Sequence, residues 1–306
     1  MLSLYKLEIF AAVVQSGSFS AAAERLYMTQ SAVSQHIQDL EAGLGTRLFN
    51  RGRRGVTLTA SGEQLYSYTC DILRLVAQAE NAVTDVEHLS SGQVTIGATP
   101  GVDVYLLPEW IQAFRARYRN LKTALYSGVT AQIVSGVLDH RYDIGFVEGE
   151  LEDNPPARLG QWVLQDIELM VIVGQGHLWW QHEQIPLTAL NDQHFITRQP
   201  RSATRIWIDQ LLQRYQVRPD IVAELDNPES IKRAVIGGMG VAIVPAYAVQ
   251  TELSAGTLRS ITIADVPLRR TLKLLWDQSL LLPPVTRAFI DHLSGRFPSL
   301  VKLVKD

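Results

Sequence analysis

Two stretches of this 306-residue sequence bring together side chains whose types and spacing suit chemistry. The first is TRQPRSATR, from Thr197 to Arg205, where hydroxyls and arginines sit between an apolar run and a helical pattern. Three other segments place polar groups similarly. Thr99 and Pro100 follow QVTIG, Ser127, Gly128 and Thr130 follow LKTALY, and Asn227 precedes Pro228 at a helix start. In open α/β folds, ligands sit beyond the carboxyl ends of strands, where free helix N–H groups favour anions. The expected site is a cleft for a carboxylate or an oxyanion, held by hydroxyls, backbone N–H groups and one arginine. Each hydroxyl also suits an ordinary cap, and Arg198 and Arg205 suit salt bridges between lobes.

The second stretch is TQSAVSQHIQDLEAGL, Thr29 to Leu44. Val33, Ile37, Leu40 and Leu44 form an apolar stripe at helical spacing, with Thr29 as N-cap. Ser31, Ser34, Gln35 and Gln38 lie off that stripe. Hydroxyls and amides there suit base edges and phosphates in a major groove. Behind this helix comes LFNRGRRGVTLT. Leu48 and Phe49 anchor it, Gly52 and Gly55 permit a tight hairpin, and Arg51, Arg53 and Arg54 crowd its tip. That is a wing whose arginines suit phosphates or a minor groove.

Other chemistries fit less well. Gly237-Gly238-Met239-Gly240 lacks the spacing and the following helix of a dinucleotide fingerprint. His177, Trp179, Trp180 and His182 have no cysteine or carboxylate at ligand spacing, so they read as a surface loop with partly buried tryptophans and not as a metal site. No nucleophile sits in a recognised setting with a base. Glu148, Glu150, Glu152 and Asp153 read as a solvated acidic loop, with Glu148 able to reach a hinge between lobes.

These groups need elements to hold them. Leu4, Leu7, Phe10, Ala11 and Val14 predict an amphipathic helix ended by Gly17. Ser18 or Ser20 caps a short second helix, FSAAAERL, and a brief turn leads into the reading helix. Two short helices and a wing make residues 1–58 a winged helix-turn-helix. From Ala60 to Leu89, Leu65, Thr69, Ile72, Val76, Ala79, Val83 and Val86 recur at four and three. That heptad seam predicts a linker helix over 59–90 that dimerises with a second copy, with Ser90 to Gly92 as hinge. Its alternative is a helix lying on its own body. Residues 91–306 alternate strand and helix, predicting two α/β halves with mainly parallel sheets.

Composition bounds the setting. Net charge is −3, yet residues 1–58 carry six Lys/Arg against four acids, +2, leaving −5 for the remainder. A basic head on an acidic body fits one local DNA surface. The single cysteine, Cys70, and the absence of any apolar run of ~20 residues predict a reducing compartment, the cytoplasm, and no membrane partner.

FxxVxxxGSFSxAAExLxxTQSAVSxHIxxLExxLGxxLFxRxxRGVxLTxxG, from Phe10 to Gly62, resembles the LysR-type transcriptional regulators. The resemblance implies a winged helix-turn-helix, a dimerisation helix and a two-lobed effector domain similar to type II periplasmic solute-binding proteins. It assigns DNA contacts to Gln30, Ser31, Ser34, Gln35 and the wing arginines. It also implies that RTLKLLWD and the helix after Pro284 return to the first lobe, giving lobe I about 91–162 and 268–306 and lobe II about 163–267. TRQPRSATR and ESIKRAVIGGMGVAIVP resemble the branch that includes regulators of carbon fixation and sulfur assimilation, with Gln199 and Arg201 replacing its usual Glu and Gly. The expected function is promoter control by a small anion that closes the lobes, with no cofactor or catalysis. The partners are duplex promoter DNA, a second or further copies of the chain (dimer or tetramer), and RNA polymerase. A ligand-insensitive regulator is the alternative, followed by a solute-binding protein or an enzyme on the same fold.

Overall fold

The computed structural model describes residues 2–52, 55–82, 92–151 and 154–305. Arg53, Arg54, Val83, Val86, Ser90, Ser91, Glu152 and Asp153, all singled out above, lie outside the described residues. The chain divides into two compact units, residues 1–85 and 86–306.

In the first unit, α1 (Leu4–Ser16) is capped by the Ser3 hydroxyl and ends at Gly17, whose φ of 62° a glycine adopts without strain. Helix α2 (Phe19–Arg25) is capped by Ser18, the first of the two serines expected there, and α3 (Gln30–Leu44) by Thr29. Ala22 and Ala23 are buried, so α1, α2 and α3 pack closely around Phe10, Val13, Val33, Ile37 and Leu40. Leu44, at the solvent end of the stripe, is exposed. Strands β1 (Phe49–Gly52) and β2 (Gly55–Leu58) form the antiparallel hairpin of the wing. Leu48 and Phe49 root it in the core, as their spacing predicts.

Helix α4 (Ala60–Ala82) covers the described part of the linker. It packs on α1, and Leu65 joins the apolar core of the head. The start of the heptad seam is therefore used within the chain, because the head core needs a lid at that turn.

The second unit opens with β3 (Gly92–Ala98), α5 (Pro100–Tyr105), α6 (Leu107–Arg117), β4 (Leu121–Ser127), α7 (Thr130–Leu138) and β5 (Ile144–Glu148). Strand β6 (Leu159–Gly174) follows, then β7 (Gln184–Ile185), β8 (His194–Arg198), α8 (Ala203–Arg214), β9 (Asp220–Leu225), α9 (Pro228–Ile236) and β10 (Ala242–Pro245). The chain closes with α10 (Gln250–Ala255), β11 (Leu258–Ile263), β12 (Arg269–Asp277), α11 (Pro284–Ser294) and α12 (Val301–Lys305).

In lobe I, β4, β3 and β5 are parallel, and β12 returns antiparallel between β5 and β6. In lobe II, β10 and β11 pair antiparallel with β6, while β8 and β9 pair with each other in parallel. The sheets are thus mixed where periodicity predicts mainly parallel ones. The long strands β6 and β12 run past each other between the lobes, and strands joined that way must oppose. Strand β6 pairs with β12 up to Glu168 and with β10 from Leu169, so the change of lobe falls within one continuous strand, a few residues beyond 163.

Each lobe has its own apolar core. Lobe I buries Phe114, Phe146 and Phe289 with Trp110, and lobe II buries Phe195, Ile208 and Val241 with Trp179. Phe114 is fully buried, its ring centroid 5.1 Å from that of Phe289. Phe114→Ala is expected to lower the unfolding free energy of this unit by ~3–5 kcal/mol, the usual cost of emptying an aromatic site. All six tryptophans lie in residues 86–306, so urea titration followed by tryptophan fluorescence reads this unit without the head.

Candidate effector cleft and nucleic-acid interface

A cavity lies between the ends of the two lobes' parallel strands. Thr99, Pro100, Val129, Thr130 and Glu148 line it from lobe I, and Arg198, Ser202, Ala203 and Thr204 from lobe II. Its volume is about 10 Å³, room for roughly one water.

The hydroxyls at this cavity do not cap their helices. Ser3, Ser18, Thr29 and Asn227 each accept a backbone N–H of the helix they open. Thr99 and Ser202 hold the same N-cap position at α5 and α8 and make no such bond. The Oγ1 atoms of Thr99 and Thr130, and Nε of Arg198, are buried without a hydrogen-bond partner among the described residues. A buried donor left unpaired costs ~1–3 kcal/mol, so several converging on one space mark a site built for a polar occupant.

Charge around the cavity is concentrated in three buried side chains. Arg198, at the end of β8, is 7% exposed. Burial pulls its pKa below the usual arginine value, opposed by the field of Glu148 and then of Asp226. Arg270, on β12, donates from Nη2 to the Glu148 backbone carbonyl at 2.7 Å and from Nη1 to Thr204 Oγ1 at 2.8 Å. It therefore ties β5 of lobe I to the first turn of α8 in lobe II. Gly149, at a φ of 86°, leaves the room that its guanidinium fills. Glu148 is buried, not part of a solvated acidic loop, and accepts a hydrogen bond from the Tyr247 hydroxyl. Of the acidic run, Glu150 is exposed and pairs with Lys273 Nζ at 2.6 Å.

The remaining expected residues lie off the cavity. Thr197 is buried in β8 with an unpartnered Oγ1, but it does not line the space. Ser127 and Gly128 end and follow β4 outside the lining. Asn227 caps α9 through Ser230 N–H at 2.9 Å. Arg205 is the clearest correction. Its guanidinium binds Asp209 at 2.8 Å and Glu224 at 2.7 Å, and it donates to the Arg198 carbonyl. It holds Arg198 in place and has no charge left for a ligand.

Arg270 and Tyr247 were not among the residues expected here. The arginine pair opening the otherwise apolar β12, Arg269 and Arg270, was a usable signal for the first. Tyr247, in a single 3₁₀ turn after Pro245, carries none.

In the head, α3 buries Val33, Ile37 and Leu40 and turns Gln30, Ser31, Gln35 and Gln38 to solvent, with Ser34 half-buried. The Ser31 hydroxyl lies 3.1 Å from that of Thr29, and Gln35 donates to Asp39 at 2.9 Å. Gln30 and Gln38 keep their amides uncommitted among the described residues. Glu41 Oε1 accepts the Leu48 backbone N–H at 2.7 Å, fixing the root of the wing to the reading helix. The backbone of Arg51 pairs with Val56 in that wing.

A helix whose polar face is free beside a hairpin, followed by a two-lobed α/β unit with a polar cleft, defines a ligand-responsive DNA-binding protein. Residues 4–63 match the bacterial regulatory helix-turn-helix family of the lysR type, and residues 87–298 match the LysR substrate binding domain. The chain belongs to the LysR family: it is a DNA-binding transcription regulator with an effector-binding domain. It is 33% identical over 298 residues to a probable RuBisCO transcriptional regulator of Trichormus variabilis, covering 96% of this chain and 88% of that one. It is also similar to the regulatory domain of Synechocystis CcmR, solved in complex with 2-PG (26% identity, TM-score 0.62, 68% of this chain and 98% of that one). Full-length CbnR, solved with its target DNA, shares the fold at 20% identity and a TM-score of 0.71, over 96% of this chain and 99% of that one.

The amide of Gln30, exposed and without a partner among the described residues, is the group on the polar face of α3 easiest to test for base reading. Gln30→Ala is expected to cost ~1–3 kcal/mol on a cognate promoter and little on random DNA. Arg51→Ala is expected to weaken both and to lower the salt slope by about 1. Fluorescence anisotropy at several salt concentrations separates the two effects.

Proposed function

We propose that the protein regulates its promoters in response to a small anionic metabolite bearing a carboxylate or a phosphate, bound between the lobes. The observation that carries this reading is the set of uncommitted donors on one cavity: the Thr99 and Thr130 hydroxyls of lobe I opposite Arg198 of lobe II. Ser202 and Thr204 add hydroxyls at the start of α8, where backbone N–H groups also favour an anion. Similarity to a regulator solved with 2-PG and to a RuBisCO regulator supports an acid of carbon metabolism as the ligand class.

The cavity holds about one water, so a ligand of several heavy atoms must part the lobes. In this reading the ligand acts as a wedge and not by the closure expected from sequence. Arg270 bridges the lobes, and breaking or bending that bridge is what ligand binding must work against. A ligand favouring the parted state shifts the population of lobe arrangements, with a coupling of ~1–3 kcal/mol in typical systems.

The protein acts as a homodimer or a higher assembly through α4, by binding alone and without turning the ligand over. It works in the cytoplasm, in contact with RNA polymerase and without a further cofactor. On α4, Tyr68 and Leu75 are exposed, and Ile72 and Val76 half-exposed, at spacings that one seam against a second copy would cover. Paired heads then reach half-sites ~34–36 Å apart. Ile72→Asp combined with Val76→Asp is expected to give a monomer that binds a full operator at least ~10-fold more weakly. Sedimentation velocity and anisotropy on full and half sites check both parts.

For the cleft, the test is thermal shift of the full chain with 2-phosphoglycolate. A ligand at 100 times its dissociation constant adds ~2.7 kcal/mol. That corresponds to a rise of about 5–10 °C in a unit of this size, at ~2–4 °C per kcal/mol. The rise should vanish in Arg198→Ala. A rise unchanged in Arg198→Ala would move the ligand elsewhere.

A further inference from the structure

Resting on the reading of the cleft as an anion site, one feature of it is unexpected. A carboxylate, that of Glu148, lines the same cavity as Arg198 and the unpartnered threonines. An ionised carboxylate there opposes any anion, and in a site excluding water such repulsion is poorly screened.

The groups facing Glu148 come from four elements. Tyr247, in the 3₁₀ turn after β10, donates its hydroxyl to Oε1. Oε2 lies over the backbone of Gly101 at the start of α5, on the side where Thr99 and Pro100 line the cavity. Arg270 of β12 spends its Nη atoms on the Glu148 backbone carbonyl and on Thr204. Arg198 of β8 supplies field without an ion pair to the carboxylate among the described residues. Beyond these, Asp226 acts on Arg198, Glu150 on Arg270, and Tyr105 on Tyr247. The two guanidiniums thus stabilise an ionised Glu148 while the cleft is closed on it, and an anion beside Arg198 competes for that same field.

We infer that the cleft takes up one proton together with its anion, the proton residing on Glu148, so that effector response depends jointly on anion concentration and pH. The balance is simple: protein, anion and one solvent proton give the complex. The proton joins Oε2, the Tyr247 bond to Oε1 is kept, and the former carboxylate becomes an O–H donor to the ligand. Burial pushes the Glu148 carboxyl above its ordinary range even against Arg270, the Tyr247 bond and Arg198. That direction favours completing the protonation when a second negative charge arrives. Tyr247 is held well above its ordinary range by burial and then by the field of Glu148, so it stays a donor throughout.

The sign follows from linkage. Above the pKa of Glu148 in the free protein, affinity falls with rising pH by up to tenfold per unit, and below it affinity is flat. Sulfate is the probe, because its charge does not change over about pH 6 to 9 and any proton taken up belongs to the protein. Calorimetry of the full chain with sulfate, repeated in buffers of different ionisation heat, should show the dissociation constant rising with pH and uptake approaching one proton. Glu148→Gln should abolish the slope and bind sulfate more tightly than the parent at about pH 9. Tyr247→Phe removes a donor to the carboxylate and should move the onset of the slope to higher pH. This second variant keeps the test decisive if Glu148→Gln folds poorly.

Sulfate binding that is lost in Arg198→Ala but shows no change in affinity over this range would overturn the proton linkage and leave the cleft standing. A slope that keeps its onset in Tyr247→Phe would place the proton on another group and overturn the assignment to Glu148. No sulfate binding at any pH, in the parent and in Glu148→Gln alike, would remove the anion cleft and this inference with it.

Discussion

The Arg270 guanidinium is the interaction on which the arrangement of the effector-binding unit depends. It is buried, and it bonds a backbone carbonyl of lobe I and a side chain of lobe II. A buried cation is tolerated only where its charge and its donors are answered. Glu148 answers the charge, while the carbonyl of that same residue and the Thr204 hydroxyl answer two donors. Any movement of one lobe against the other must strain or replace these contacts. A ligand entering beside them therefore acts on the lobe spacing directly, without a long relay.

Polar groups at helix starts divide into those that complete a helix and those left open at the cleft. Asn227, Thr29, Ser18 and Ser3 complete their helices, so their donors and acceptors are already used. Thr99 and Ser202 occupy the equivalent N-cap places and make no side-chain capping bond among the described residues. The contrast also divides the arginines. Arg205 is engaged by Asp209, Glu224 and the Arg198 carbonyl, whereas Nε of Arg198 has no partner among the described residues. One buttresses and the other is open to the cavity, although both belong to a single nine-residue motif.

In the head the division is simpler, because reading DNA needs only a rigid helix with its polar face free. Val33, Ile37 and Leu40 anchor α3, Thr29 fixes its start, and Glu41 joins it to the wing. Each of these contacts is local or nearly so, and hence visible as spacing. The exposed polar face of α3 was accordingly legible in the sequence from its spacing and its cap.

Local pattern alone determined the winged helix-turn-helix, its caps, most strands and helices of the body, and the polar stretches that meet at the cleft. Periodicity reports which side of an element is buried, and capping residues report where it begins. What only the tertiary structure decided were pairings between distant residues. The antiparallel passage of β6 and β12 brings Arg270 to Glu148, 122 residues away in sequence. The turn after β10 brings Tyr247 to the same carboxylate, 99 residues away. Leu65 packs against the head core and Arg205 pairs with Asp209 and Glu224, contacts that spacing alone did not indicate. Hydrophobic spacing cannot choose among partners that satisfy it equally; packing and charge balance in the folded chain make that choice.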